Sequence, residues 1–251
     1  VCGAHLPLDA ESRQAMEAQG QAPTPVHNNC SGKHTGILAL SLHRGWPTQG
    51  YEQPAHPAQQ CIRQTVAELG DLTTEEVILG IDGCSVPVHG LPVAAAATAF
   101  ARLVEPDALP PLRAAACRRI VQAMMAHPEM VAGEGRVCTQ LMQTWPGRCI
   151  AKAGAEGFYS LGILPGALDG HNPGLGIALK LEDGDHLRAR DPILGAALQA
   201  LGLMGDQAPV GLPTLVRRPL TNHAGLVVGE IAAWPGLREN LTEQIARNRS
   251  W

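Results

Sequence analysis

No stretch of this sequence stays apolar long enough to cross a membrane, and residues 1–20 are too polar for a signal peptide. A soluble, cytoplasmic protein with no membrane partner is therefore expected. The chain also lacks a basic footprint. Its formal net charge is -4, its pI is near 6.2, and no cluster of Lys and Arg is interleaved with aromatics, which argues against nucleic acid as a partner. There is no internal repeat and no low-complexity linker. The seven cysteines are odd in number and scattered through a chain large enough not to need staples, which favours free thiols or metal ligands over a disulfide framework. An initiator Met is absent as well: Val1-Cys2 leads straight into Gly3-Ala4-His5, which reads as a processed chain or a fragment.

What is present can bury a substantial core. With 251 residues, 45% of them hydrophobic, a single domain spanning 1–251 is expected. Asp9 to Gln19 reads as a helix with Gly20 beyond its end. Gly36 to Leu42 continues a mostly apolar helix closed by Gly45. Pro57 suits a first helical position, and Cys61, Ile62, Val66 and Leu69 follow at helical spacing up to Gly70. Thr73 and Glu76 have capping-box spacing, but Val77 to Ile81 reads as a buried strand. Further helices are expected over Val93 to Leu103, Leu112 to Met125 and Val137 to Trp145, with Cys61 and Cys117 as core packing. Beyond Gly147, Cys149 to Ala153, Phe158 to Ile163 and Leu175 to Leu181 read as an antiparallel meander. A helix over Pro192 to Leu201 and a hairpin of Val216 to Thr221 with Leu226 to Ala233 follow. This order predicts α and β layers, an α/β protein of the α+β type, rather than repeating βαβ units. The sequons at Asn240-Leu241-Thr242 and Asn248-Arg249-Ser250 are given no function.

Two loops concentrate the chemistry. Asn28-Asn29-Cys30-Ser31-Gly32-Lys33-His34 packs a thiol, a hydroxyl, an amine and an imidazole at the start of a helix. Unpaired backbone N–H groups there would stabilise a thiolate at Cys30. The plainer reading is a capping turn with Ser31 as cap and an inert Cys30. Asp82-Gly83-Cys84-Ser85 ends the strand at Ile81, where a sheet can aim polar groups outward; Asp82-Gly83 is also an ordinary turn dipeptide. A third segment, Glu129 to Arg136, is a glycine-rich loop without the Gly-Lys-Ser/Thr ending of a phosphate loop. Its plainer reading is a loop whose glycines serve close packing.

These segments together resemble the thermolabile, Rhizobium-type L-asparaginases of the asparaginase II family. The likeness rests on Cys2-Gly3-Ala4-His5, Asn28 to His34, Asp82-Gly83-Cys84, His127-Pro128-Glu129-Met130-Val131-Ala132-Gly133-Glu134-Gly135-Arg136, and Lys152 with Gly154. The resemblance implies an antiparallel sheet flanked by helices, similar to the serine β-lactamase and penicillin-binding-protein fold. It also implies hydrolysis of L-asparagine to L-aspartate and ammonia. It further implies zinc held by Cys30, Lys33 and Cys84, with Asp82 beside the site and Lys152 as a catalytic lysine that partners a serine. Asparagine over glutamine rests on the resemblance alone.

The donor chemistry is coherent, since two thiolates suit Zn²⁺ and three protein ligands leave a position open. A lysine ligand must be a neutral amine, so His34 or Asp82 stands as an alternative to Lys33. The resemblance also implies a Ser-x-x-Lys motif, yet none of Ser12, Ser31, Ser41, Ser85, Ser160 or Ser250 has a lysine three positions on. The expectation is an N-terminal part that is missing together with both catalytic serines, a doubtful activity for the isolated chain, and an exposed sheet edge that favours a homodimer. Two other functions compete: a cysteine-dependent amidase with Cys30 as nucleophile and His34 or His27 as base, and a non-catalytic zinc- or ligand-binding module.

Overall fold

The computed structural model describes residues 1–168, 173–185 and 188–247. Its secondary structure is mixed α/β, with small antiparallel sheets flanked by helices. The chain divides into two compact units, Val1–Ala95 and Ala96–Trp251. Among the described residues, no helix is long and apolar enough to cross a membrane. The second sequon, Asn248-Arg249-Ser250, lies outside the described residues.

In the first unit, α1 spans Ala10–Ala18, and Asp9 caps it by accepting from the Ser12 N–H at 2.8 Å. Next come α2 (Ser31–His43) and α3 (Pro57–Gly70). Helix α2 ends where the Arg44 and Gly45 N–H groups donate back to Leu40 and Leu42, and Gly45 takes φ +68°. In α3, Pro57 stands at the start and Asp71 in the left-handed region closes the end. Thr73 and Glu76 do exchange capping-box hydrogen bonds, but they cap a turn rather than a helix.

The strand β1 (Ile78–Ile81) pairs antiparallel with β2 (Pro87–Gly90), from Ile78 opposite Gly90 to Ile81 opposite Pro87. This corrects the expectation of a buried strand. Val77 is fully buried, but it precedes the strand, and Ile78 and Ile81, on opposite faces of the strand, are both exposed, because a two-stranded ribbon leaves both of its faces partly uncovered. The core of this unit gathers Ile37, Tyr51, Ala58, Cys84 and Val86.

The second unit contains α4 (Val93–Val104) from its fourth residue onward, α5 (Pro111–Ala126), α6 (Pro128–Ala132) and α7 (Val137–Thr144). Then follows the meander β3 (Cys149–Ala153), β4 (Phe158–Ile163) and β5 (Leu175–Lys180), in that spatial order. Helix α6 replaces the first half of the loop expected over Glu129 to Arg136. Successive residues on each strand of the meander face opposite sides. Leu161 and Ile163 are buried in the unit's main core with Leu141, Leu194, Leu198 and Leu215. On the other side, Gly162 and Gly176 let α4 approach closely; a Cβ at Gly176 would sit 1.8 Å from the Ala97 carbonyl oxygen. The chain closes with α8 (Arg190–Ala200), the hairpin β6 (Arg217–Thr221) and β7 (Val227–Ala232), and α9 (Pro235–Arg247). Cys117 is buried as expected, while Cys61 is only half-buried.

Candidate metal and amide-hydrolysis residues

The loop before α2 is held by Asn28. Its amide donates to the Cys2 carbonyl at 2.7 Å and the Gly3 carbonyl at 3.2 Å, and its side-chain oxygen accepts from the Cys30 N–H at 2.8 Å. The buried Asn28 side chain thus joins the N-terminal segment to the thiol-bearing turn. His5 adds a second tie, accepting from the Asn29 N–H at 3.2 Å. Cys30, not Ser31, is the residue that precedes the helix, and its side chain makes no capping bond. Neither Asn28 nor His5 was assigned a role from the sequence. The Asn28-Asn29 pair signalled a turn, but not which backbone groups it would hold.

The second loop is the β1–β2 turn. The Ser85 N–H donates to the Asp82 carbonyl, and the Asp82 N–H donates to the Val86 carbonyl, both at 2.9 Å. Ser85 takes φ +75°, a left-handed position that glycine usually fills in a three-residue hairpin loop. This turn aims Asp82 and Cys84 at α2. Lys33 Nζ lies 3.1 Å from both Asp82 Oδ2 and Cys84 Sγ, and Cys84 Sγ lies 3.4 Å from Asp82 Oδ2. Donor atoms of Cys30, Asp82 and Cys84 all lie within 4.8 Å of one another. The four side chains singled out in these two loops therefore come together.

The electrostatics differ from the expectation for Cys30. Burial, followed by smaller contributions from Cys84 and Asp82, pushes its thiol above the ordinary value and outweighs the attraction of Lys33. Burial thus opposes a thiolate at Cys30 while Lys33 favours one. Burial alone would lower the Lys33 pKa, but its hydrogen bonds to Cys84 and Asp82 leave it raised. The Lys33 hydrogen bond is the main cause that holds Asp82 below the usual carboxylate range.

His34 is buried, and its Nδ1 lies 2.7 Å from the Tyr51 hydroxyl. Burial lowers its pKa, with Lys33 adding to the effect, and its buried Nε2 has no hydrogen-bond partner among the described residues. His27 Nδ1 accepts from the Thr24 N–H. Among the described residues, neither imidazole is hydrogen-bonded to the Cys30 thiol. This geometry does not assemble the base that a Cys30 nucleophile requires.

Lys152 belongs to the second unit, on β3 directly opposite Ser160 of β4. The turn that follows explains the Lys-x-Gly spacing. A Cβ at Gly154 would lie 2.8 Å from the Phe158 ring, and Gly157 takes φ +72°. Lys152 is exposed, and its Nζ donates to the Ala153 carbonyl at 2.7 Å.

A comparison with curated proteins finds no match. The family model described as L-asparaginase II matches residues 1–233, which takes in both loops and Lys152. The chain therefore belongs to the L-asparaginase II family, whose activity is that of an amidohydrolase.

Proposed function

We propose that this chain hydrolyses the side-chain amide of L-asparagine to L-aspartate and ammonia. In this reading Cys30, Lys33 and Cys84 hold zinc, and Lys152 is the base that accepts the proton of a serine nucleophile, a role that the Ser-x-x-Lys spacing assigns to none of Ser12, Ser31, Ser41, Ser85, Ser160 or Ser250. The observation that carries the reading is the convergence of two thiols, an amine and a carboxylate from loops about fifty residues apart, within a chain of this family.

The donor set fits the ion. Tetrahedral Zn²⁺ with thiolate and nitrogen ligands needs donor atoms roughly 3.5–3.8 Å apart; the two cysteine sulfurs lie within 4.8 Å of each other and Lys33 Nζ lies 3.1 Å from Cys84 Sγ, so small side-chain movements would close the set around an ion. Bound there, zinc would supply Lewis acidity beside an open coordination position. The rest is done by the chain. Cys30 and Cys84 bind as thiolates, and Lys33 must shed its proton to join them as a neutral amine. Asp82 orients Lys33 and Cys84 from outside the ligand set, as carboxylates commonly do around metal sites. Lys152 keeps one hydrogen bond to a backbone carbonyl and an exposed, flexible stem, so its amine can turn toward an attacking hydroxyl or the amide nitrogen of the substrate. The β3–β5 meander packed on helices supports reading the second unit as the sheet portion of a serine β-lactamase-like fold.

The deciding experiment measures ammonia release from L-asparagine with zinc quantified in the same sample, for the chain and for Lys152→Met and Cys84→Ser. Turnover lost in Lys152→Met and zinc lost in Cys84→Ser would support both assignments. Asparagine binding without ammonia release would identify a binding module instead. Unchanged turnover in Lys152→Met would remove that lysine from the chemistry.

A further inference from the structure

The glycine-rich segment between α6 and α7 is not explained by close packing. A Cβ at Gly133 would meet nothing nearer than Arg136 Cγ at 3.9 Å, and one at Gly135 would meet nothing within 4 Å. What these positions require is conformation: Gly133 has φ +93° with ψ 165°, and Gly135 has φ +66°. The backbone so shaped is held from beneath. Thr139, fully buried on α7, sets its hydroxyl 2.6 Å from the Gly133 carbonyl and 3.1 Å from the Pro128 carbonyl. A surface loop with an imposed conformation therefore presents Glu134 and Arg136, both exposed, on either side of Gly135.

Neither charge is spent within the protein. Among the described residues Glu134 and Arg136 form no ion pair, with each other or with any other side chain, although Arg118, Arg188, Arg190, Arg217 and Arg238 all do. The loop also leads into α7, which is hydrogen-bonded to the strand that carries the proposed catalytic lysine, within the same unit. The Ala153 N–H donates to Cys138 Sγ at 3.2 Å, which joins the residue after Lys152 to the second residue after Arg136.

We propose that Glu134 and Arg136 form the recognition element for the α-amino and α-carboxylate groups of the substrate. This inference rests on the amino-acid amidase reading and names the part of the substrate that the loop holds. A guanidinium matches a carboxylate with two parallel N–H donors, and a carboxylate side chain accepts from an ammonium. A free zwitterionic amino acid carries both partners on one carbon, so an anion–cation couple separated by one glycine on a held backbone selects it over a simple amide. The loop selects the amino acid, and Lys152 acts on its side-chain amide.

The test uses calorimetric binding and steady-state kinetics of the full chain with three probes. These are L-asparagine, succinamate (asparagine without its amino group) and 3-aminopropanamide (asparagine without its carboxylate). Arg136→Ala is expected to weaken L-asparagine and succinamate by about tenfold or more and to leave 3-aminopropanamide unchanged. Glu134→Gln is expected to weaken L-asparagine and 3-aminopropanamide and to spare succinamate. Arg136→Lys should recover only part of the loss, because the bidentate fork is gone. Equal effects on all three probes, or none, would overturn the assignment while leaving the amidase reading intact. Failure of the unaltered chain to bind or turn over any of the three would overturn both.

Discussion

Lys33 Nζ lies 3.1 Å from Cys84 Sγ although the two residues are 51 positions apart, and one carboxylate oxygen of Asp82 contacts both. The amine is thus committed to the second loop before any ion enters. A zinc ion there must displace the Lys33 proton and keep Asp82 as the outer partner. The expected outcome is that zinc shields Cys30 and Cys84 from iodoacetamide while the half-buried Cys2 and Cys61 continue to react. Asp82→Asn should lower zinc affinity by about 10–100-fold, and Lys33→Met at least as much. Competition with a chromophoric chelator measures both, and unchanged affinities in both variants would remove zinc from this site.

Ser85 occupies a left-handed position, φ +75°, in the turn that aims Asp82 and Cys84. A side chain there costs roughly 1–2 kcal/mol, partly offset by the extra freedom glycine brings to the unfolded chain. Ser85→Gly should therefore stabilise the protein by about 1 kcal/mol in urea unfolding. Zinc affinity should not change, because the turn keeps its two backbone hydrogen bonds.

Much of this arrangement is legible in the sequence, and the rest fails for physical reasons. The bounds of β3 and β4 follow from short apolar runs punctuated by glycine, and Cys149–Ala153 and Phe158–Ile163 form as that pattern predicts. Strand β2 is different, because Pro87-Val88-His89-Gly90 has little strand propensity and exists through its register with β1. Helix α6 is too short to nucleate alone and sits in a glycine-rich stretch, and α9 has a largely polar sequence. The approach of Cys30, Lys33, Asp82 and Cys84 was implied only by family resemblance, since no local pattern links residues fifty apart. Position at a helix start is visible in the sequence, whereas the burial and the neighbouring Cys84 and Asp82 that raise the Cys30 pKa are set by the fold.

The core of the second unit sets an alkaline limit on stability. Burial pushes the Cys149 thiol from 9.0 up to about 12, and burial likewise raises Tyr159 well above its ordinary value. Both groups hold their protons more tightly folded than unfolded. Their contribution is therefore fully present below the unfolded pKa and is lost as pH rises through the folded one. For Cys149 that window runs from 9.0 to about 12. Urea midpoints should be flat near neutrality and fall above pH 9, with Cys149 contributing up to about 1.4 kcal/mol per pH unit. Cys149→Ala should show a shallower alkaline fall from a lower starting stability.

Thr139 tests whether the loop that presents Glu134 and Arg136 is held or merely present. Valine matches threonine in shape but cannot donate to the Gly133 or Pro128 carbonyls, so Thr139→Val removes the tie without opening a cavity. Leaving those acceptors without the hydroxyl should cost about 1–3 kcal/mol of stability. Amide hydrogen exchange should rise more across residues 129–137 than in β4, where only the global loss of stability is felt. Because positioning of the two charges would loosen, KM for L-asparagine should rise more than kcat falls. A loss of stability with no greater change in exchange over the loop than in β4 would assign Thr139 to core packing alone.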